Sequence, residues 1–340
     1  MLPSILSTNP LQNFFPYLAT FLIAFSFIVA NFKLHKKAKI RTAFRILFAK
    51  KIWLSPSTIL DYKYVFVGAL IFANVVAYTT ITGPQVSEFV YTQLSQIFGA
   101  HNSTKHSQIF FNVILATVLF LTYEFAYWLN HYLCHKIPFL WEFHKVHHSA
   151  TTLTPLTNWR MHPVDTILYL NTVSVILGAT CGIVYYVMGK EIAHAALSGT
   201  NIIMLSYMAL YGHLQHSQLW IPTTGLTGRI FLSPAHHQIH HSTNPIHFNT
   251  NLGAGLAVFD WLFGTLHLPS KQKQKLVFGV QNDRHLTKFI TSILHPFLYA
   301  WKHIRKIFGK TIQKYRAYLT AEKLSQSSGK ASPLHANNAK

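Results

Sequence analysis

The scarcest commodity in this chain is negative charge: nine Asp and Glu among 340 residues, against 29 Lys and Arg. So few acids exclude a soluble metalloenzyme built on a carboxylate cluster, which would consume several of them. Cysteine is scarcer still. Cys134 and Cys181 are the whole supply, which excludes a disulfide framework and a cysteine zinc site. Charged residues of both signs make up 11% of the chain, where soluble domains average about 25%. What is plentiful is apolar side chain, at 50% of residues, and histidine, at 22. A mean hydropathy above zero with a net charge of +20 fits neither an ordinary soluble globule nor a disordered chain. A membrane protein with a cationic face and an excess of imidazoles remains.

Each helical residue advances ~1.5 Å, so about 20 apolar residues cross a ~30 Å hydrocarbon core. Four runs of that length contain no charge: Phe14 to Phe32, Tyr64 to Thr82, Thr166 to Met188 and Ile192 to Gly212. A fifth, Ile109 to Asn130, holds one acid, Glu124. Buried helices of a large soluble core are the competing reading. A Lys or Arg at the centre of an inserted helix costs about 2.5–3.5 kcal/mol, so long charge-free runs favour lipid. No Lys or Arg precedes Lys33, so a basic leader region for a cleavable signal peptide is missing.

Orientation follows from the loops. Residues 33–51 hold Lys33, Lys36, Lys37, Lys39, Arg41, Arg45, Lys50 and Lys51, whereas residues 83–108 form a loop with only Lys105. The positive-inside rule puts the first loop in the cytoplasm. Residue 131, residue 213 and the basic segment after His213 then fall on that same side. The expected fold is all-α: a bundle of four to five spans capped by a cytoplasmic helical domain. Residues 1–108 form the N-terminal spans and basic loop, 109–270 the catalytic domain, 271–324 a basic amphipathic region and 325–340 a disordered tail. Within 298–318, Lys302, Arg305, Lys306, Lys310, Lys314 and Arg316 alternate with Trp301, Ile304, Ile307 and Phe308, a pattern for an interfacial helix. The cations flank the spans, which suits membrane phospholipids and argues against nucleic acid.

The histidines recur at helical spacing. His131-Tyr-Leu-Cys-His135 sets two imidazoles on one face a turn apart. His144-Lys-Val-His147-His148 gathers three, with the last two able to diverge toward neighbouring ions. His237-Gln-Ile-His240-His241 repeats that spacing directly after His236, and His213-Leu-Gln-His216 lies between. A purely structural role would require partners for ten imidazoles in a chain with nine acids. Metal coordination satisfies them directly. Ten nitrogens exceed the capacity of one ion, and two ions with about five each keep an open position apiece, as a reactive centre requires. Imidazole suits Fe, Zn, Cu and Ni alike, so the ligands do not choose the metal.

The order of these boxes and their neighbours resembles the fatty acid hydroxylase/sterol desaturase superfamily of membrane non-haem di-iron oxygenases. The resemblance rests on Trp128-Leu-Asn-His131-Tyr-Leu-Cys-His135, Leu140-Trp-Glu-Phe-His144-Lys-Val-His147-His148-Ser149 and Arg160-Met-His162-Pro-Val-Asp165. It continues in Gln215-His216-Ser217, Ser233-Pro-Ala-His236-His237-Gln-Ile-His240-His241-Ser242 and Phe259-Asp260-Trp-Leu-Phe263-Gly-Thr265, covering roughly residues 110–270. It implies metal ligands at His131, His135, His144, His147, His148, His216, His237, His240 and His241, with His213 as a further candidate. His162 and His236 match positions beside the ligands, or are ordinary structural histidines. Glu124, on the same helical face as His131 and His135, either orients an imidazole, forms part of a proton path, or is a neutral acid bonded to a Tyr or the backbone. Asp165 and Asp260 either cap helices or hold imidazoles.

The resemblance further implies two iron ions (Fe2+), O2 as co-substrate and oxidation of an unactivated C–H bond of a lipid to an alcohol or an alkene. Sterol, fatty acyl, sphingolipid, alkylglycerol and carotenoid chemistries all occur in the superfamily. The chain shows no flavin- or NAD-binding glycine fingerprint and no fused haem module. Electrons therefore have to come from a separate cytochrome b5- or ferredoxin-type protein. The expected setting is a bacterial inner membrane in preference to the endoplasmic reticulum, with the metals on the cytoplasmic face. A histidine-rich metal transporter or store is the rival, but it should carry polar groups near the membrane midplane.

Overall fold

A computed structural model describes residues 47–68, 78–99, 108–188 and 212–327, with isolated positions 22, 26, 45 and 75. The spans expected at 14–32 and 192–212, part of that at 64–82, most of the basic loop and residues 328–340 lie outside the described residues. The elements are α1 (Lys50–Trp53), α2 (Pro56–Val67), α3 (Gly83–Phe98), α4 (Gln108–Lys136), α5 (Pro138–His148), α6 (Pro163–Met188), α7 (Gly225–Ile230), α8 (Pro234–His240), α9 (Val258–Leu262) and α10 (Phe289–Ser327). Among the described residues β structure is limited to two isolated bridges, Phe231 with Leu256 and Ser242 with Phe278. Proline occupies the first or second position of α2, α3, α5, α6 and α8, where its missing N–H removes no helical bond.

Among the described residues, two helices are long and apolar enough to cross a membrane: Val113–Lys136 within α4, and α6. Only 11% of the most apolar stretch of α6 is buried, unlike a helix at the centre of a soluble core. Val175, Ile183 and Val187 on α6, and Val113, Ile114 and Leu121 on α4, face outward. The helices run antiparallel. Leu115 and Leu119 pack on Leu177, Cys181 and Val184, and the hydroxyls of Tyr123 and Tyr169 sit 3.0 Å apart.

Residues 83–98 depart from the expected loop. They form α3, opened by a capping box between Thr82 and Gln85, and they run alongside α6 in the same direction. Small residues make the contact possible: a Cβ on Gly178 would lie 2.6 Å from the Gly83 carbonyl oxygen, and one on Gly182 2.6 Å from that of Ser87. This small-xxx-small spacing is how membrane helices approach closely.

The base of α4 is embraced by α5, α8 and the 212–217 turn, and α10 packs across α5. Phe143 meets Phe297 edge-on at 5.2 Å, and the Tyr64 hydroxyl of α2 reaches Ser292 at 2.8 Å. Further along, α10 is amphipathic and exposed. Ile307, Phe308, Ile312 and Tyr315 share one side, with Lys306, Lys310 and Lys314 on the other.

Candidate metal centre

Helix α4 delivers His131 and His135 at its end, a turn apart. Pro138 restarts the chain as α5, which contributes His144, His147 and His148 within one and a half turns. The short helix α8 supplies His237 and His240, with His241 at its C-cap, and the 212–214 turn leads directly into His216. These nine imidazoles form two groups. The ligand nitrogens of His131, His135, His144, His148 and His240 all lie within 4.8 Å of one another, as do those of His147, His216, His237 and His241. The groups are neighbours, since the rings of His148 and His241 stack at 4.4 Å. The side chain of His213 lies outside the described residues.

The donor chemistry fits metal ions. In the first group all five Nε2 atoms are buried and without a protein partner. In the second, Nε2 of His216 lies 3.0, 2.8 and 3.2 Å from those of His147, His237 and His241, and His237 and His241 are 3.1 Å apart. One ring proton cannot serve three such contacts. Two nitrogens bonded at ~2.1 Å to a common ion stand about 3.0 Å apart at a right angle and about 3.4 Å apart in a tetrahedron. The observed separations match the first value, so these four rings leave room for further ligands. Burial pushes His147, His148, His237 and His241 well below the usual imidazole range and His240 down to about 3, which keeps them neutral and able to ligate.

Oxygen acceptors behind the rings set their tautomers. Nδ1–H of His131 donates to the Leu252 carbonyl at 2.8 Å, that of His240 to the Thr250 carbonyl at 2.8 Å, and that of His144 to Asp165 Oδ2 at 2.9 Å. Each bond leaves Nε2 as a lone pair aimed into the first group. Asp165 is held in turn by Cys134, whose thiol donates to Oδ1 at 3.6 Å.

Two of those acceptors belong to the 249–256 loop, and the scarce acids are spent on holding it. Asp260 accepts from the N–H groups of Leu252 and Gly253 at 2.8 Å each and from Thr265 Oγ1 at 2.6 Å. Burial pushes this carboxyl up to about 6 against those bonds. Glu124 Oε2 takes the N–H groups of Gly255 at 3.0 Å and Leu256 at 2.8 Å. Asn251, left-handed at φ 55°, donates its amide to the carbonyls of His236 and His267 at 3.0 and 2.9 Å. Glu124 thus bonds the backbone, the alternative its helical position had left open beside a direct hold on an imidazole.

His162 and His236 stand outside both groups. His236 closes a capping box on Ser233 at the start of α8. His162 bonds the Ile293 carbonyl of α10 through Nε2 at 2.9 Å and receives the Val164 N–H on Nδ1 at 3.1 Å. Sequence reasoning had no role for Asp61, yet it is fully buried beneath the site. Its carboxylate accepts from Arg160 Nε at 2.6 Å and Thr157 Oγ1 at 3.0 Å, while Arg160 also reaches the Ser57 carbonyl and Ser149 at the end of α5. That Asp61 is one of only nine acids was the available signal. Trp141, likewise unassigned, lays its indole 5.0 Å from the His135 ring and 5.2 Å from that of His148.

Residues 116–265 match the fatty acid hydroxylase family, and that stretch contains all nine grouped imidazoles. This segment of the chain is similar to fatty acid hydroxylase domains. Among characterised relatives, the ornithine lipid hydroxylase OlsE of Rhizobium tropici is 30% identical over 200 residues, covering 59% of this chain and 54% of that protein. Alkylglycerol monooxygenase of Xenopus tropicalis is 26% identical over 161 residues, 47% of this chain and 32% of its own length. A cholesterol 25-hydroxylase-like protein of Danio rerio is 27% identical over 148 residues, 43% of this chain and 53% of that protein. The chain thus spans about half the length of the first of these relatives. No solved structure matches it.

Proposed function

We propose that this protein is a membrane-bound, O2-dependent lipid hydroxylase or desaturase that works with two iron ions. The observation that carries the reading is the sorting of nine buried imidazoles into adjacent groups of five and four whose nitrogens converge. His131, His135, His144, His148 and His240 would hold one ion; His147, His216, His237 and His241 would hold the other, with His213 as a possible addition. Bound iron with O2 supplies the oxidising power for an unactivated C–H bond, a step beyond the reach of any side chain here. The chain's own contribution is positioning. Asp165 and the carbonyls of Leu252 and Thr250 orient three rings, and Asp260 and Glu124 keep the carbonyl-bearing loop in place. The aromatic rings of Tyr127 and Trp141 cover His131 and His135 and shield the imidazoles from water.

The named relatives act on an ornithine lipid, an alkylglycerol or, by name, cholesterol, which supports a lipid as substrate. Electrons would come from a separate cytochrome b5- or ferredoxin-type protein. We read the chain as multi-pass, with the centre on the cytoplasmic face and α10 lying on anionic headgroups; a bacterial inner membrane suits the first-named relative's origin. The metal-binding imidazoles that α4 contributes sit at its end, away from its middle, which favours an enzyme over a transporter. Purified full-length protein in lipid nanodiscs should contain two irons per chain and consume O2 with appearance of an oxidised lipid when electrons and total membrane lipid are supplied. Zinc alone, with no O2 uptake under those conditions, would refute the proposal.

A further inference from the structure

Eight of the nine grouped imidazoles are buried, and His135 is the one that is partly exposed. Its neighbour is Trp141, whose indole lies 5.0 Å from the His135 ring and 5.2 Å from that of His148, both members of the five-imidazole group. The indole is itself only part-buried, and it lines a cavity of about 540 Å3 together with Lys145, Asp283, Arg284 and Tyr299. A single aromatic ring thus packs against two metal-binding side chains and also lines an open cavity.

The acids near this cavity are already engaged. Lys145 Nζ pairs with Glu142 at 2.6 Å and Asp283 at 2.9 Å, and Glu142 also faces His303 at 3.3 Å. Both carboxylates are turned inward, with side chains 9% and 14% exposed. The cations outside that cluster have no such balance. Arg284 is exposed in the lining, and Lys302 lies 4.8 Å over the Tyr299 ring. Lys306 and Lys310 follow Tyr299 by seven and eleven residues, which on a helix is the same side. Between Val280 and Ala321 the chain holds eight Lys and Arg against one acid, the paired Asp283, so the outer surface there is cationic. Phe308, Ile312 and Tyr315 lie on the opposite side of α10. With that apolar side on the bilayer, a ridge of lysines faces the aqueous phase and leads to the cavity that Trp141 lines.

We propose that this ridge and cavity form the docking surface for a small acidic one-electron carrier protein, and that Trp141 is the contact through which its electrons reach the five-imidazole group. The proposal rests on the lipid-oxidising reading above. Charge selects the partner: a face of one sign steers an acidic protein, and the short-lived complexes of electron carriers need only a small interface. Stoichiometry creates the need. In hydroxylation O2 takes up four electrons, two from the C–H bond and two from outside, and with two protons from water it yields the alcohol and one water. Desaturation needs the same two external electrons. A carrier with an iron–sulfur or haem centre is oxidised by one electron in each of two encounters, and Trp141 is unchanged at the end.

Binding is read first, on the full-length protein as purified, in phosphatidylcholine nanodiscs. The probes are an acidic ferredoxin and an acidic cytochrome b5 haem domain, with a basic cytochrome c as control. An acidic carrier should bind and cytochrome c should not, and the affinity should fall steeply as ionic strength rises from about 0.05 M to about 0.5 M. Carbodiimide cross-links should join the carrier's carboxylates to Lys302 or Lys306. Combining Arg284→Glu, Lys302→Glu and Lys306→Glu should slow association at least about tenfold, within the range that electrostatic steering spans. Trp141→Leu should bind the carrier as the wild type does yet lose most of the rate at which bound, reduced carrier is reoxidised, and Trp141→Phe should recover part of that rate. Absence of salt-sensitive binding by both acidic carriers, or unchanged association after the triple charge reversal, would overturn the assignment. So would a triple reversal that weakens only attachment to phosphatidylglycerol vesicles, because the ridge would then belong to the membrane. Product formation on the same samples separates the two readings. Lipid oxidation with a chemical reductant, without carrier binding at the ridge, removes the docking surface alone, and carrier binding at the ridge without any lipid oxidation removes the oxygenase proposal alone.

Discussion

Asp165 offers a one-sided perturbation of the centre. Its carboxylate is 2% exposed and touches only the first group, through His144 Nδ1 at 2.9 Å. Asp165→Ala would leave that buried N–H without an acceptor, at about 1–3 kcal/mol. Loss of a partner behind a ligating histidine weakens metal affinity by about 10–100-fold, the same energy in another unit. The four-imidazole group makes no contact with Asp165, so the expected result is one ion per chain weakened by that factor and the other unaffected. Asp165→Asn keeps a carbonyl oxygen in reach of Nδ1 and should lose only a few-fold. Dialysis against graded chelator, with metal content measured at each step, would show the wild type releasing both ions together and Asp165→Ala releasing them in two stages. Because Asp165 sits in the first turn of α6, a helix-stability loss of about 0.3–1 kcal/mol accompanies the change. Thermal unfolding of the metal-free variant measures that part separately. Two ions lost in parallel, or neither weakened, would refute the division into two groups or the role of Asp165.

Three further outcomes follow from buried contacts. Glu124→Ala strands two backbone N–H groups and should destabilise the protein by roughly 2–6 kcal/mol, whereas Glu124→Gln, whose amide oxygen can receive them, should stay within about 1 kcal/mol; equal denaturation midpoints for the two variants would contradict this. Arg160→Ala leaves Asp61 buried without its countercharge, at about 3–5 kcal/mol, and Arg160→Lys should recover only part because an ammonium cannot fork to Ser57 and Ser149 as well; unfolding midpoints in denaturant measure both. Burial holds the His162 pKa below its usual value, and its two bonds require the neutral ring with the proton on Nε2. The stability it contributes is complete above about pH 6.5 and is lost as the pH falls toward the lowered folded value. Hydrogen exchange in residues 289–300 should therefore quicken between pH 7.5 and 5, and equal protection at both would disprove the linkage.

Much of the centre was legible before any fold was known. Helical spacing alone places His131 with His135, and the ~100° step between neighbouring residues turns His147 away from His148, so one box can serve two ions. The structure divides them in that manner, His148 in the first group and His147 in the second. The pairing across boxes was not legible. That His240 joins His131 while His237 and His241 join His147 depends on the approach angle of α8 to α5, which no local pattern encodes. Within the loop expected at 83–108, residues 83–98 form α3, packed into the groove that Gly178 and Gly182 offer, a fact that resides in α6.

Local composition thus pointed to the class of protein: long charge-free runs suit lipid, and imidazoles at helical intervals with hardly any acids suit metal. The tertiary structure decided how the few carboxylates are used. Glu124 meets backbone 131 residues away and Asp61 meets an arginine 99 residues away, each in a dry setting where the bond matters. Periodicity is a property of a segment and is written within it. The partner of a buried charge is set by which segments the chain brings together, and only the folded molecule holds that information.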